Sequence, residues 1–202
     1  DPGLQRILLG AFGLPMGLFM TIVGGGELFT GNTAVVTAAA LEGKATWKNL
    51  AKNWGVSFMG NLIGSLLIAF LATHAGTLKA TMAGPLSVAV AKSSQPFMQA
   101  FYRGILCNWL VCMAVWCANN ASDIGSKALA IFLPISGFVA LGLEHSVANM
   151  FIIPFGMLNG ADVTVRAFLL GSILPVTLGN IVGGAVCVAG LYYCALGTKA
   201  RV

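Results

Sequence analysis

Residues 143–149 read Leu-Glu-His-Ser-Val-Ala-Asn, a carboxylate, an imidazole and an amide set inside a long apolar run. The apolar stretches on either side, residues 128–142 and 150–157, are each too short to cross about 30 Å of hydrocarbon as a helix, although together they suffice. The arrangement predicts a membrane helix broken in its middle, with a short loop between two surface helices as the competing reading. An ionisable side chain near a bilayer centre costs on the order of 3 kcal/mol, so Glu144 and His145 are expected to face a polar cavity or a partner. Residues 27–32, Glu-Leu-Phe-Thr-Gly-Asn, interrupt the first half of the chain in the same way. Paired breaks in corresponding positions point to a site at the membrane midplane.

Composition agrees with a membrane chain. Of 202 residues 57% are hydrophobic and 8% are charged, against roughly 25% charged in soluble domains. The mean hydropathy is +0.87. A net charge of +5 without a basic cluster suits anionic lipid or an anionic solute and argues against nucleic acid. The five cysteines lie in apolar runs without metal-ligand or redox spacing, which makes them small packing residues; no metal or other cofactor is implied. Gly13/Gly17, Gly60/Gly64 and Gly179/Gly183 are small-residue pairs suited to close helix contact.

In chain order, residues 5–26 form an apolar segment that ends at a Gly triplet before Glu27. Helical composition resumes at 33–41. Residues 42–53 carry Lys44, Lys48 and Lys52 at four-residue spacing, the pattern of a separate surface helix. Residues 54–73 are a span in which Asn61 serves a helix–helix hydrogen bond or lines a pore. A polar connection at 74–95 has room for a short re-entrant or interfacial helix. A span at 97–118, a turn at 119–126, the second broken helix at 127–158, a loop at 159–165 and a last span at 166–196 complete the chain. The whole is expected to be one transmembrane pore domain, with a first half 1–75, a connection 76–96 and a second half 97–202.

The second half therefore reads span, broken helix, span, and the first half broken helix, span. An inverted repeat calls for one more span before Asp1. Counting Lys44, Lys48, Lys52, Lys127, Lys199 and Arg201 on one side against Arg6, Lys79, Lys92 and Arg166 on the other places the C-terminus inside.

Glu27 and Glu144 are the acidic residues within apolar segments, one in each break. They are expected to accept hydrogen bonds from the orphan backbone N–H groups that begin each second half-helix, with proton relay as the alternative. His145 differs, because an imidazole can donate to an anion or carry a proton near neutral pH. Asn108 and Asn180 are buried amides that either orient His145 or tie helices together. Lys92 reads as a solvated loop cation. No nucleophile elbow, phosphate loop or metal-ligand set is present in the sequence, which argues against an enzyme.

These stretches together resemble the formate/nitrite transporter family: Gly25-Gly26-Glu27-Leu28-Phe29-Thr30-Gly31-Asn32, Lys52-Asn53-Trp54, Gly60-Asn61-Leu62, Gly104-Ile105-Leu106-Cys107-Asn108, Glu144-His145-Ser146-Val147-Ala148-Asn149-Met150 and Ile173-Leu174-Pro175-Val176-Thr177-Leu178-Gly179-Asn180. The resemblance implies an all-α integral membrane protein, a six-span inverted-repeat pore fold with two broken helices whose first span is absent from this sequence, assembled as a homopentamer with one pore per protomer. It implies His145 as the central histidine, Thr30 as the mobile-loop threonine, Asn108 and Asn180 around the histidine, and Lys92 as a vestibule lysine that attracts anions. It places apolar constrictions at Phe138 on one side and at Leu28 and Val111 on the other, with Leu14 where some members carry an aromatic residue. Residues 180–184 and 41–46 are also similar to green-algal members that handle nitrite or bicarbonate, which allows a chloroplast envelope as well as a plasma or bacterial inner membrane.

The function expected is a channel or transporter for small monovalent anions (formate, nitrite or bicarbonate), with proton sharing at His145 and a lipid bilayer as its surroundings. A neutral-solute channel of aquaporin type also pairs half-helices, but neither break contains Asn-Pro-Ala. A membrane scaffold would make Glu27, Glu144 and His145 purely structural. The many glycines around residues 27–32 predict that the first break moves as a gate while the second stays fixed.

Overall fold

Apolar segments in lipid must close their backbone hydrogen bonds within themselves, which favours helices. A computed structural model describes residue 4, residues 11–77 and residues 82–197, and its described part is helical throughout, without strands. The elements are α1 (Leu14–Gly24), α2 (Phe29–Leu41), α3 (Trp47–His74), α4 (Ala83–Ser93), α5 (Phe97–Asn120), α6 (Ile124–Ala140), α7 (Ser146–Leu158) and α8 (Ala167–Leu196). Three of these, α3, α5 and α8, are long and apolar enough to cross a membrane. The short helices α1 and α2 flank the first break, and α6 and α7 flank the second. Residues 5–10 of the first apolar segment lie outside the described residues, as do Arg6, Lys79, Lys199 and Arg201 of the charge count.

One expectation is corrected. Residues 42–53 are not a separate surface helix, because Trp47–His74 is continuous over 28 residues. Thr46 starts it by accepting the Asn49 N–H on its hydroxyl at 3.1 Å, and no Pro interrupts the turns beyond that cap. Lys48 and Lys52 thus lie on the first turns of a membrane-crossing helix. Asp123 caps α6 in the same manner. The Ser126 hydroxyl and N–H both donate to it, and together they hold its carboxyl below the usual carboxylate range.

Among the described residues packing divides into three clusters, the smallest joining Ala34 of α2, Cys112 of α5 and Val188 of α8, and the two larger ones lie on either side of the α5–α8 contact. Leu18 of α1, Cys107, Val111 and Ala114 of α5, and Ile131, Ile135 and Phe138 of α6 form one. Met150 and Ile153 of α7 with Phe168 and Ile173 of α8 form the other, against Phe58 and Leu62 of α3. Between them α5 and α8 touch backbone to backbone. A Cβ on Gly179 would strike the Phe101 carbonyl, and one on Gly183 the Ile105 carbonyl. One on Gly104 would lie 2.8 Å from the Val176 carbonyl. Two π-helical stretches of α8, Ala167–Ile173 and Val182–Gly190, bracket the segment that carries Pro175 and Asn180. Pro175 has no N–H to return to the preceding turn, and the first wide stretch ends just before it.

Gly60 and Gly64 face open space, with nothing within 4 Å of an added Cβ, as do Gly13 and Gly17. The small-residue pairs therefore have different uses. Gly179/Gly183 seats α8 on α5 inside the protomer, whereas Gly60/Gly64 lies on an outer surface shared with exposed Val56, Met59, Ile63 and Leu67. Gly183→Ala should lower stability by about 1–3 kcal/mol through overpacking, read as a fall in the thermal midpoint of the purified protein. Gly60→Ala should leave the protomer's midpoint within about one degree; equal losses in both would contradict this packing.

Candidate functional site: two paired helix breaks

Each break begins where a glycine turns left-handed. Gly25 has φ 71° at the end of α1, and Gly142 has φ 67° two residues beyond α6. Two residues past each glycine comes a glutamate, Glu27 or Glu144, and then an extended residue that opens the second half-helix. That residue is Leu28 (φ −112°, ψ 114°) in one break and His145 (φ −120°, ψ 117°) in the other. Glycine richness therefore does not distinguish the breaks, since each requires a left-handed residue at one position.

Extended backbone at this depth leaves polar groups that lipid cannot satisfy, and an asparagine from the following long helix satisfies them in each case. Asn61 of α3 donates to the Glu27 carbonyl at 2.9 Å and accepts the Phe29 N–H at 2.9 Å. Asn180 of α8 donates to the Glu144 carbonyl at 3.1 Å and accepts the Ser146 N–H at 2.9 Å, with a further bond to the Gly104 carbonyl at 2.9 Å. Each glutamate side chain also takes the amide of the asparagine five residues on, Asn32 at 2.5 Å and Asn149 at 2.7 Å.

The expected capping role of Glu27 and Glu144 is thus corrected: the amides of Asn61 and Asn180 hold the backbone, because a carboxylate has no donor for the carbonyl on the other side. Freed from that role, Glu144 is 2% exposed and accepts from Lys92 Nζ at 3.1 and 3.0 Å, Gln95 Nε2 at 2.7 Å and Asn149 Nδ2. Lys92, in the last turn of α4, is therefore an ion-paired and largely buried side chain rather than a solvated one. Glu27 stays exposed, with Asn32 as its side-chain partner.

His145 joins the two breaks. Its Nδ1 accepts the Ala148 N–H at 3.0 Å, so in the neutral ring the proton resides on Nε2. Nε2 lies 2.9 Å from the Thr30 hydroxyl oxygen, which accepts that proton and keeps its own O–H to donate. Phe138 stacks on the imidazole at 5.9 Å between centroids and 18° between planes. Leu28, Val111 and Phe138 pack in one cluster, and Phe138 brings that cluster against the imidazole. Leu14 stands apart, 37% exposed at the start of α1, while Leu18 one turn on is buried in that cluster.

Neither Asn108 nor Asn180 hydrogen-bonds to the imidazole. Asn108 Nδ2 lies within hydrogen-bond reach of the Thr30 carbonyl (3.1 Å), the Thr33 hydroxyl (2.9 Å) and the Asn180 carbonyl (2.6 Å), and so ties α2, α5 and α8 together. Both amides position the breaks that carry Thr30 and His145. Reading the sequence missed Gln95, Arg103, Asn149 and Ser172 as members of the polar network. A signal for the amide clamps was present, since Gly60-Asn61-Leu62-Ile63-Gly64 and Gly179-Asn180-Ile181-Val182-Gly183 share one pattern.

Residues 1–194 match the formate/nitrite transporter family. The chain belongs to this family. It is 43% identical over 208 residues to a probable formate transporter of Methanothermobacter thermautotrophicus, covering 95% of this chain and 75% of the relative. To the formate channel FocA of Haemophilus influenzae it is 36% identical over 211 residues, with 92% and 72% covered. The solved structure of a pentameric formate channel with formate bound superposes with a TM-score of 0.86 at 33% identity, covering 96% of this chain and 84% of that one. The family fold and the three membrane-crossing helices make this an integral membrane protein.

In this member of the family the Lys92–Glu144 pair is a stability element that a single substitution would expose. Lys92→Met should cost about 3–5 kcal/mol by leaving a buried carboxylate unpaired, and adding Glu144→Gln should recover most of the loss. Thermal midpoints of the two singles and the double in detergent test this; a double variant no more stable than Lys92→Met would contradict it.

Proposed function

We propose that the protein conducts small monovalent anions across a membrane, formate foremost and nitrite and bicarbonate by their similar size and charge, through a path centred on His145 and Thr30. The observation that carries the reading is the 2.9 Å contact between Thr30 Oγ1 and His145 Nε2, made between two helix breaks and beneath the Phe138 ring. Both α2 and α7 begin at this point. Their N-termini turn the positive ends of two helix dipoles toward it, which favours an anion. An anion arriving here exchanges the Thr30 hydroxyl for itself as acceptor of the Nε2 proton, and the freed hydroxyl donates to the same anion. Phe138, Leu28 and Val111 supply the apolar surround that disfavours large hydrated ions. The family fold and the likeness to a pentameric formate channel support a homopentamer of such protomers. They support a transport protein rather than an enzyme.

Reconstituted protein should pass formate well above empty liposomes, and His145→Asn should reduce that flux about tenfold or flatten its dependence on pH. Equal flux in both proteins would remove His145 from the path, and no flux from intact wild type would overturn the anion reading.

The first break is the moving part. Its residues 24–27 are exposed, whereas of the corresponding residues 141–144 Gly142 and Leu143 are half-buried and Glu144 is buried among Lys92, Gln95 and Asn149. Replacing Gly25 by alanine raises the strain of its left-handed residue by about 1 kcal/mol, biasing the break away from this conformation. The expected result is an altered flux against pH with assembly intact; an unchanged profile would leave the first break as fixed as the second.

A further inference from the structure

The polar network at the second break does not end at Lys92. Gln95, three residues past Lys92, donates from Nε2 to Glu144 Oε1 at 2.7 Å and accepts on Oε1 from Arg103 Nη1 at 3.2 Å. The Arg103 carbonyl in turn lies 3.5 Å from the Glu144 N–H. Arg103 is on the second turn of α5, five residues before Asn108, which places it about 7.5 Å along the helix axis from the level of the amide clamps. Its backbone is held there because Gly104 packs directly on α8.

Charge in this cluster is unevenly compensated. Lys92 and Glu144 form an ion pair through both carboxylate oxygens and together carry no net charge. Arg103 has a neutral amide as its hydrogen-bond partner, and among the described residues no carboxylate lies within ion-pair distance of it. The cluster therefore holds one excess positive charge, and it resides on a guanidinium that is only partly buried. At a distance an ion pair acts as a dipole whose field fades quickly, whereas a lone charge beside a low-dielectric wall draws counter-ions over a Debye length.

We propose that Arg103 is the anion-recruiting cation on the Glu144 side of His145, concentrating small monovalent anions beside the second break, while Lys92 chiefly holds Glu144. This rests on the anion-conducting reading above. The planar guanidinium, fixed through one N–H by Gln95, has further donors for a carboxylate or another planar oxyanion. Reading Lys92 as the attracting charge gives way to a division of labour in which Lys92 builds the site and Arg103 draws anion toward it.

The test is initial formate flux into liposomes against formate concentration at low and high ionic strength, for wild type, Arg103→Gln and Arg103→Lys. Arg103→Gln should raise the half-saturating concentration about threefold to tenfold at low ionic strength, leave saturating flux within about twofold, and lose most of the wild type's sensitivity to salt. Arg103→Lys keeps the charge and should stay within about twofold of wild type throughout. A wild type that conducts while Arg103→Gln matches it in half-saturation and salt sensitivity overturns the assignment and leaves the channel reading intact. A wild type without flux overturns the channel reading itself. Should Arg103→Gln fail to assemble, Arg103→His carries the comparison, since its side chain is cationic near pH 5.5 and neutral near pH 8 by its usual pKa of about 6.5. Its half-saturation relative to wild type should rise between those pH values, and a constant ratio overturns the proposal.

Discussion

A helix that stops in the middle of a membrane leaves backbone donors and acceptors where neither lipid nor water can meet them, and each such group costs several kcal/mol if left alone. Asn61 and Asn180 answer this constraint in one way. A side-chain amide is an acceptor and a donor side by side, so one residue can take the first N–H of the new half-helix and give to the carbonyl just before it. The remainder of the structure depends on keeping those amides in place. Gly179 and Gly183 let α8 lie directly on α5 so that Asn180 reaches Gly104 as well, and Asn108 braces the Asn180 carbonyl from the other side. On α3, Trp54 Nε1 donates to the Asn32 carbonyl at 3.3 Å and Phe58 meets Phe29 edge-on at 5.2 Å. The long helix that carries Asn61 is thereby docked to the half-helix it caps.

The two breaks share a left-handed glycine, a glutamate two residues on, an extended residue, an asparagine five residues past the glutamate and an amide clamp from the next long helix. That correspondence is an inverted repeat written at the level of single hydrogen bonds. The differences lie in what surrounds it. Glu144 is enclosed by Lys92, Gln95 and Asn149, and Asn149 is braced again by the Ser172 hydroxyl at 2.9 Å. Glu27 faces outward with Asn32. A break held by many buried polar contacts is expensive to rearrange, and one held by few exposed contacts is not.

The number and order of spans were legible because hydropathy over about twenty residues is a strong signal, and the breaks were legible because Glu27 and Glu144 are the acids inside apolar runs. Partner choice was harder to read. Lys92 looks solvated because sequence shows the polar neighbours of α4 and conceals that Glu144, far along the chain, comes back to meet it. Arg103 sits inside a hydrophobic span and gave no pattern, since a single cation in a helix has no period. Gly60/Gly64 and Gly179/Gly183 are indistinguishable as sequence, yet one pair faces outward and the other is pressed on α5, because spacing specifies a smooth face without saying what lies against it. The supposed surface helix at 42–53 shows the converse. Lysine periodicity described a face correctly, while the Thr46 cap decided where the helix began.

Duplicated backbone with divergent side chains also explains why a symmetric frame yields one central residue. Leu28 and His145 occupy equivalent extended positions, each immediately before a half-helix. In the first break the position is apolar, and it joins the cluster with Val111 and Phe138. In the second it is an imidazole whose Nδ1 is committed to the Ala148 N–H, so that Nε2 alone faces Thr30. That commitment fixes the tautomer through the helix N-terminus itself. A proton added at Nδ1 would displace the cap, which couples any change in the protonation of His145 to the first turn of α7. Thr30, supplied by the other half of the repeat, then pairs an adjustable hydroxyl with a histidine whose one free donor has a fixed direction.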